Sequence, residues 1–576
     1  MWLDNQLFTN EEVKKQHYLW YAVIRMSQGK SHTVIYFILI IIFGSIIRFW
    51  NLDTNPPGLH GDEALTGYTA YSLLKTGKDL AGKTNILSLT DTNGGGTYPS
   101  VLSWIMVPFV AVLGLHPYVD RFPSALFGVV SIIALFVIVK EVTRKDALAL
   151  AAALLLAVNP WAIHISRQGL LESVSLGMVL LGTAFFLKAG AKPAYILVSS
   201  VFFGLALFSY DAPRLFLPFF IIALAVFRWR ALRQSKRFSL FSLFVFLIFY
   251  TLFLHQTFFR GEIGEYSKSS ILNMAKISER VNTERTLTRA PLWLSGIFHN
   301  KLTVGYKNVL TNYVGIFSLN WLFVNGSGEL QQATGSHGQY HLFELPLFFI
   351  GLYYFFTKHR KVFYLFLLWI FIGALPGGFS TGVNTFRNSL VIPAPLLFSA
   401  SGLLVVFSGI AKLSPGKRTV AGAALTTVIV ALVTSYLFTY FFDYPVYASE
   451  RWDKQKNEAI LYALQRKNDY ANVFFDGATS WATTYGFLVT LDPVIFQKSI
   501  AQPGYYKDTR TYRFDTLSFG LLDDAVKLLP SAADYFPKNT LVITGGDNDV
   551  FEDDTPVARF YDPGGVRSVY KALEVQ

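Results

Sequence analysis

Apolar runs recur from residue 33 to residue 442, most of them close to the roughly 20 residues an α-helix needs to cross a bilayer. The pattern predicts eleven spans. They are 33–50, 122–140, 147–165, 170–188, 193–210, 213–228, 238–256, 342–357, 362–379, 389–410 and 419–441. A further apolar stretch at 98–115 is interrupted by Pro99, Pro108 and Gly114, and is expected to lie along the surface. The basic turns test this count. Lys140, Arg144 and Lys145; Lys188 and Lys192; Arg228, Arg230, Arg233, Lys236 and Arg237; Lys358, Arg360 and Lys361; and Lys412, Lys417 and Arg418 all fall on one side. With a cytoplasmic N-terminus that side is the cytoplasm, as short basic loops require. Were 98–115 to cross, all five turns would invert.

Loops 51–120, 257–341 and 380–388 and everything after residue 442 are then expected outside the cytoplasm. The segment 1–32 is polar, with Lys14, Lys15, Arg25 and Lys30, and lacks the layout of a cleavable signal. After residue 443 the pattern changes. Short β-rich runs at 472–476 and 540–544 alternate with a helical run at 454–466, punctuated by Asp476-Gly477, Gly545-Gly546 and Pro563-Gly564-Gly565. The expected fold is a polytopic α-helical membrane protein: a cytoplasmic segment 1–32, a membrane domain 33–442, and an extracytoplasmic soluble α/β domain 443–576.

Composition agrees. Charged residues are 15% of the 576, well below the usual quarter of a soluble domain, while 52% are hydrophobic and 16% aromatic. The net charge of +12 does not point to nucleic acid. Residues 442–576 hold 14 basic and 19 acidic residues, so the excess lies in the loops of the membrane part. With no cysteine, disulfides, thiolate nucleophiles and cysteine-ligated metals are excluded.

Candidate chemistry gathers on the outer side. Pro56-Pro57-Gly58-Leu59-His60-Gly61-Asp62-Glu63-Ala64 puts two adjacent carboxylates just after the first span. Such a carboxylate suits a general base or a metal ligand, but the run also reads as a helix start, with Asp62 as N-cap and Glu63 in the first turn. Arg167 and Glu172, Asp211 and Arg214, and Arg387 lie near the outer ends of other spans. Guanidinium groups there would suit an anionic, membrane-borne substrate; the alternative is local pairing, Arg167 with Glu172 and Asp211 with Arg214.

The run Gly58–Ala64 followed by Ala70-Tyr71-Ser72-Leu73-Leu74 resembles the first-loop signature of GT-C membrane glycosyltransferases. Asp120-Arg121-Phe122-Pro123, Asn159-Pro160-Trp161, Gly335-Ser336-His337-Gly338-Gln339-Tyr340, Glu344-Leu345-Pro346 and Phe386-Arg387-Asn388 follow in the order found in bacterial relatives of protein O-mannosyltransferases and aminoarabinose transferases. The resemblance implies an inverting transferase that takes a sugar from a polyprenyl-phosphate donor to a protein, lipid or glycan outside the cytoplasm. It implies Asp62 as catalytic base, with Glu63 orienting it or meeting the acceptor. Arg167 and Arg387, then Arg214, are expected at the donor phosphate, and His337, Tyr340, Glu172 and Tyr68 as further substrate contacts. Gln331 and Gln332 depart from the family, which tends to carry basic residues there. No cofactor is expected and no metal-ligand spacing accompanies Asp62. A lipid-linked-sugar flippase is the alternative function, but neither an internal repeat nor ionisable residues deep within spans support it.

Overall fold

The apolar runs fold as helices because their backbone can satisfy its own hydrogen bonds nowhere else in a bilayer. The structure, a computed structural model, describes residues 30–259, 274–477, 479–547 and 549–576; most of the expected segment 1–32 and part of loop 257–341 lie outside these residues. The first span is α1 (Lys30–Phe49), followed in the outer loop by α2 (Gly61–Thr76), a short antiparallel hairpin of β1 (Ser88–Thr90) and β2 (Thr97–Pro99), and α3 (Val101–Leu113). The bundle continues with α4 (Pro117–Thr143), α5 (Asp146–Val158), α6 (Pro160–Ser166), α7 (Leu171–Lys188), α8 (Tyr195–Leu207), α9 (Ala212–Phe227), α10 (Trp229–Gln234) and α11 (Lys236–Phe259). Among the described residues of the long loop, α12 (Met274–Leu287), α13 (Leu292–Phe298), α14 (Lys301–Gly315) and α15 (Leu319–Phe323) precede α16 (Glu344–Lys358), α17 (Arg360–Gly378), α18 (Pro393–Ile410) and α19 (Pro415–Phe438).

Seven helices among the described residues are long and apolar enough to cross a membrane, or eight if α5 and α6 count as one bent span. The remaining predicted spans, 193–210, 213–228 and 342–357, form helices of 13, 16 and 15 residues. Pro213 sets the start of α9, so the residues between α8 and α9 turn at the bundle end instead of extending either helix. The 58° bend between α5 and α6 is written in Asn159-Pro160. A residue before proline is pushed out of the α region, and Asn159, in extended backbone, restarts the helix by accepting a hydrogen bond from the Ala162 N–H at 2.9 Å. The stretch 98–115 forms α3, which buries Leu102, Met106 and Val110 and leaves Val112 exposed.

The most intimate helix pair is α16 with α18, where Gly351 and Gly402 let the backbones meet. A Cβ on Gly351 would strike the Phe398 carbonyl, and one on Gly402 the backbone of Leu347.

The C-terminal region includes α20 (Lys454–Arg466), β3 (Asn472–Asp476), α21 (Thr479–Leu488), α22 (Pro493–Ala501), β4 (Gly504–Tyr506), β5 (Thr509–Phe514), β6 (Leu517–Gly520), β7 (Thr540–Gly545), β8 (Ala558–Tyr561) and β9 (Ser568–Val575). They form one mixed sheet in the order β4-β5-β6-β3-β7-β9-β8, with β3 parallel to both β6 and β7. This region does not stand apart from the first outer loop. Leu59, Leu65, Tyr68 and Leu73 share a hydrophobic core with Phe475, Phe487, Phe496 and Phe519.

Replacing Gly402 by leucine should force α16 and α18 apart and cost about 1–3 kcal/mol. Gly409→Leu, on the same helix with nothing within 4 Å of its Cβ position, should leave the melting temperature of the purified protein unchanged.

Candidate active site

His60, not Asp62, caps α2. Its ring nitrogen accepts from the Asp62 N–H at 3.1 Å, and the Glu63 carboxylate accepts from the His60 N–H at 3.2 Å, completing a reciprocal cap. The two neighbouring acids then part company. Asp62 is 58% exposed, whereas Glu63 is fully buried and paired with the equally buried Arg121. The Glu63 oxygens accept from Arg121 Nε at 2.9 Å and Nη2 at 2.8 Å, and from the Gly169 N–H at 2.8 Å.

Arg121 also donates to the carbonyls of Leu52, Asp53, Pro56 and Gly58. Arg167 donates to those of Ile47, Arg48, Asn51 and Asn55, at 2.7, 3.0, 3.3 and 2.9 Å. Between them the two guanidinium groups hold eight carbonyls of the segment leading from α1 to Asp62. Arg167 is therefore not at a phosphate: it is completely buried, over the Phe441 ring at 4.8 Å, with both terminal nitrogens committed to the backbone. Gly58 has φ +80°, and a Cβ there would meet the backbone of Lys454 at 2.9 Å, so the C-terminal region presses directly on this segment.

Asp62 lies on the wall of a cavity of about 260 Å³, together with Glu172, Asp211, Arg387, Tyr98 and Gln331. Asp91, Tyr210, Gln332, Asn384, Ser380 and two threonines, Thr66 and Thr381, complete its polar lining, and Leu65, Leu170, Leu171 and Phe386 its apolar part. Each outer loop thus contributes. Gln331 bridges them: its side-chain nitrogen is 3.2 Å from the His60 ring, and its backbone carbonyl accepts from the Gln168 side chain at 3.1 Å. The Gln332 side chain accepts from the Thr385 N–H at 2.9 Å. These glutamines hold loops together with neutral groups at positions where the resembled family tends to carry basic residues.

Of the three expected phosphate-binding arginines, Arg387 alone lines the cavity. Arg214 is paired with Asp211, the local alternative, and its Nε donates to the Leu207 carbonyl at 3.1 Å. Glu172 lies on the wall. His337, Tyr340 and Tyr68 do not. His337 sits edge-on to Tyr436, ring centroids 5.4 Å apart, and its partial burial lowers its pKa. The Tyr340 hydroxyl donates to the Ile392 carbonyl at 3.3 Å, and that of Tyr68 to the Leu491 carbonyl at 3.0 Å; burial raises both phenols. Each is a structural contact between elements. The clamp role of Arg121 and the cavity positions of Asp91, Tyr98, Tyr210 and Asn384 were not anticipated. Asp120-Arg121 at the outer end of a span carried a signal, since a charge there needs a partner. Asn384 and Tyr210 carried none. Among the described residues no group of three or more His, Asp or Glu is arranged to hold a metal ion.

Long apolar helices and a polar cavity at one end, covered by loops and a mixed sheet, make up a GT-C-like fold, as structural comparison shows. Crystal structures of ArnT from Cupriavidus metallidurans, in the apo state and bound to undecaprenyl phosphate, match it with TM-scores of 0.51 each. The alignments cover 94% of this chain and 97% and 98% of those chains, at 13% and 12% identity. Residues 97–255 match the family model described as dolichyl-phosphate-mannose-protein mannosyltransferase. A Bacillus subtilis (strain 168) protein, YycA, provisionally described as a mannosyltransferase, is 34% identical over 110 residues, which is 19% of this chain and 16% of that protein. The matched family model and the description of the Bacillus protein both name a mannosyltransferase, a class of glycosyltransferase.

Removing one member of the buried pair isolates a charge. Glu63→Gln or Arg121→Met should each lower stability by about 3–5 kcal/mol, and the double variant by clearly less than their sum, as read from thermal unfolding of the four proteins.

Proposed function

We propose that the chain is an inverting membrane glycosyltransferase that moves a sugar from a polyprenyl-phosphate donor to an acceptor outside the cytoplasm. The observation that carries this reading is Asp62: an exposed carboxylate, held by a capped helix start on the wall of a cavity that also presents Arg387. Undecaprenyl phosphate in the ArnT structure supports the class of donor, and the matched family supports a sugar as the group moved.

The chemistry needs one base. The acceptor O–H or N–H attacks the anomeric carbon and gives its proton to Asp62, while the bond from that carbon to the phosphate oxygen breaks. The electron pair leaves with the polyprenyl phosphate. That leaving group is stable as an anion, so no second acid has to protonate it, in contrast to glycoside hydrolysis. In-line attack opposite the phosphate inverts the anomeric centre. Arg387 attracts the phosphate more strongly as its charge grows, which stabilises the transition state beyond the bound donor. Glu63 acts through position: it fixes the start of α2, and so the direction of Asp62. No step requires a metal. The basic turns at the other ends of the spans support a cytoplasmic placement of those ends, and hence of the cavity on the outer face.

Asp62→Asn should lower turnover of polyprenyl-phosphate sugars by about 10²–10⁴-fold while donor binding persists, when the purified protein is offered a panel of such donors. Wild-type turnover in that variant would remove Asp62 as the base. Arg387→Ala should weaken donor binding as well as turnover, with partial recovery in Arg387→Lys.

A further inference from the structure

A second cavity lies at the opposite end of the bundle. It has a volume of about 580 Å³, more than twice that of the cavity at Asp62, and is walled by Ile196 and Phe203 of α8, Ile221 and Ala225 of α9, and Leu243 and Phe246 of α11. Along α9, Asp211 lines one cavity and Ala225 the other, about 20 Å apart at the helical rise. The headgroup of anything bound here is therefore remote from the proposed chemistry.

The serines of this cavity do not make it polar. Ser199 donates to the Gly182 carbonyl at 2.7 Å, Ser200 to Leu197 at 2.8 Å, Ser242 to Ile196 at 2.8 Å and Ser239 to Leu232 at 3.1 Å. Their hydrogens are spent on helix carbonyls, which leaves walls suited to hydrocarbon. Trp229, Leu240 and Leu243 at the opening are about half exposed, on a face where a membrane helix meets lipid.

The mouth is basic. Arg233 and Lys236 line it, within the run 228–237 that holds five basic residues and no acidic one. Arg228 is occupied, donating to the Leu187 carbonyl at 2.7 Å with Glu141 at 3.8 Å. Arg233 lies over the Trp229 ring at 5.4 Å, and among the described residues neither it nor Lys236 forms an ion pair with a carboxylate. An apolar cavity that opens sideways beneath two cations fits an amphiphile with an anionic head.

We propose that this cavity binds one anionic phospholipid, an acyl chain lying between α8, α9 and α11 and the phosphate between Arg233 and Lys236. The site bridges α9 and α11 across the short α10, so its occupant would fasten the basic end of three helices that otherwise meet around an open space.

Full-length protein is equilibrated with phosphatidylglycerol or phosphatidylcholine in detergent, and retained lipid is counted by native mass spectrometry beside the melting temperature. Wild type should retain one phosphatidylglycerol in preference to phosphatidylcholine and melt higher with it. Arg233→Gln/Lys236→Gln should bind phosphatidylglycerol about thirtyfold more weakly, as two basic groups beside an anionic head imply. The charge-conserving Arg233→Lys/Lys236→Arg should retain it, and Ala225→Phe, which fills the cavity and keeps both cations, should lose it. Melting temperatures without added lipid show whether each variant is folded. Equal retention of the two lipids by wild type, or unaltered binding in the glutamine variant, would overturn the proposal. So would displacement of phosphatidylglycerol by equimolar undecaprenyl phosphate.

Discussion

A guanidinium group removed from water must find acceptors, and two of those buried here find most of theirs in one stretch of backbone. Arg121 and Arg167, both fully buried, turn eight carbonyls between Ile47 and Gly58 inwards. Carbonyls in a segment rich in proline and glycine have few partners of their own, so the two charges and the irregular chain satisfy each other. Everything distal inherits its position from this arrangement: the capped start of α2, the exposure of Asp62, and the face that the first loop offers to the C-terminal sheet.

Two adjacent carboxylates therefore acquire opposite characters. Glu63 turns towards Arg121 and becomes part of the framework, whereas one residue earlier Asp62 points to the cavity. Successive residues on a helix are about 100° apart, and the cap at His60 sets which of them faces inwards. In the proposed reaction this separation leaves one acid to the framework and the other to the cavity.

The cavity wall carries Asp62, Asp91, Glu172 and Asp211 against Arg387, with Arg214 compensating Asp211 from beside it. Among the described lining residues the cationic character is thus confined to one, and Gln331 and Gln332 join loops by neutral hydrogen bonding. In the proposed reaction Arg387 meets the lipid phosphate, and the carboxylates around it can accept hydrogen bonds from hydroxyl or amine groups of a sugar or acceptor.

Much of this architecture was legible in the chain itself. Apolar runs of membrane length, basic turns on one side and the switch to short strands after residue 443 each encode a local preference that needs no distant partner, and the helices and the sheet follow them. The bend at Asn159-Pro160 is equally local, since proline and a capping side chain act within one turn. What depended on contacts far apart in sequence was not readable there. Arg167 and Arg387 are the same residue type at the same kind of boundary. Arg167 meets carbonyls about 110–120 residues away, while Arg387 reaches the cavity wall. The sequence by itself determined that charged residues would collect at the ends of the spans, because hydrocarbon excludes them. Only the tertiary structure decided which of those charges became framework and which came to line the cavity, because that depends on whether unpaired backbone acceptors are brought within reach.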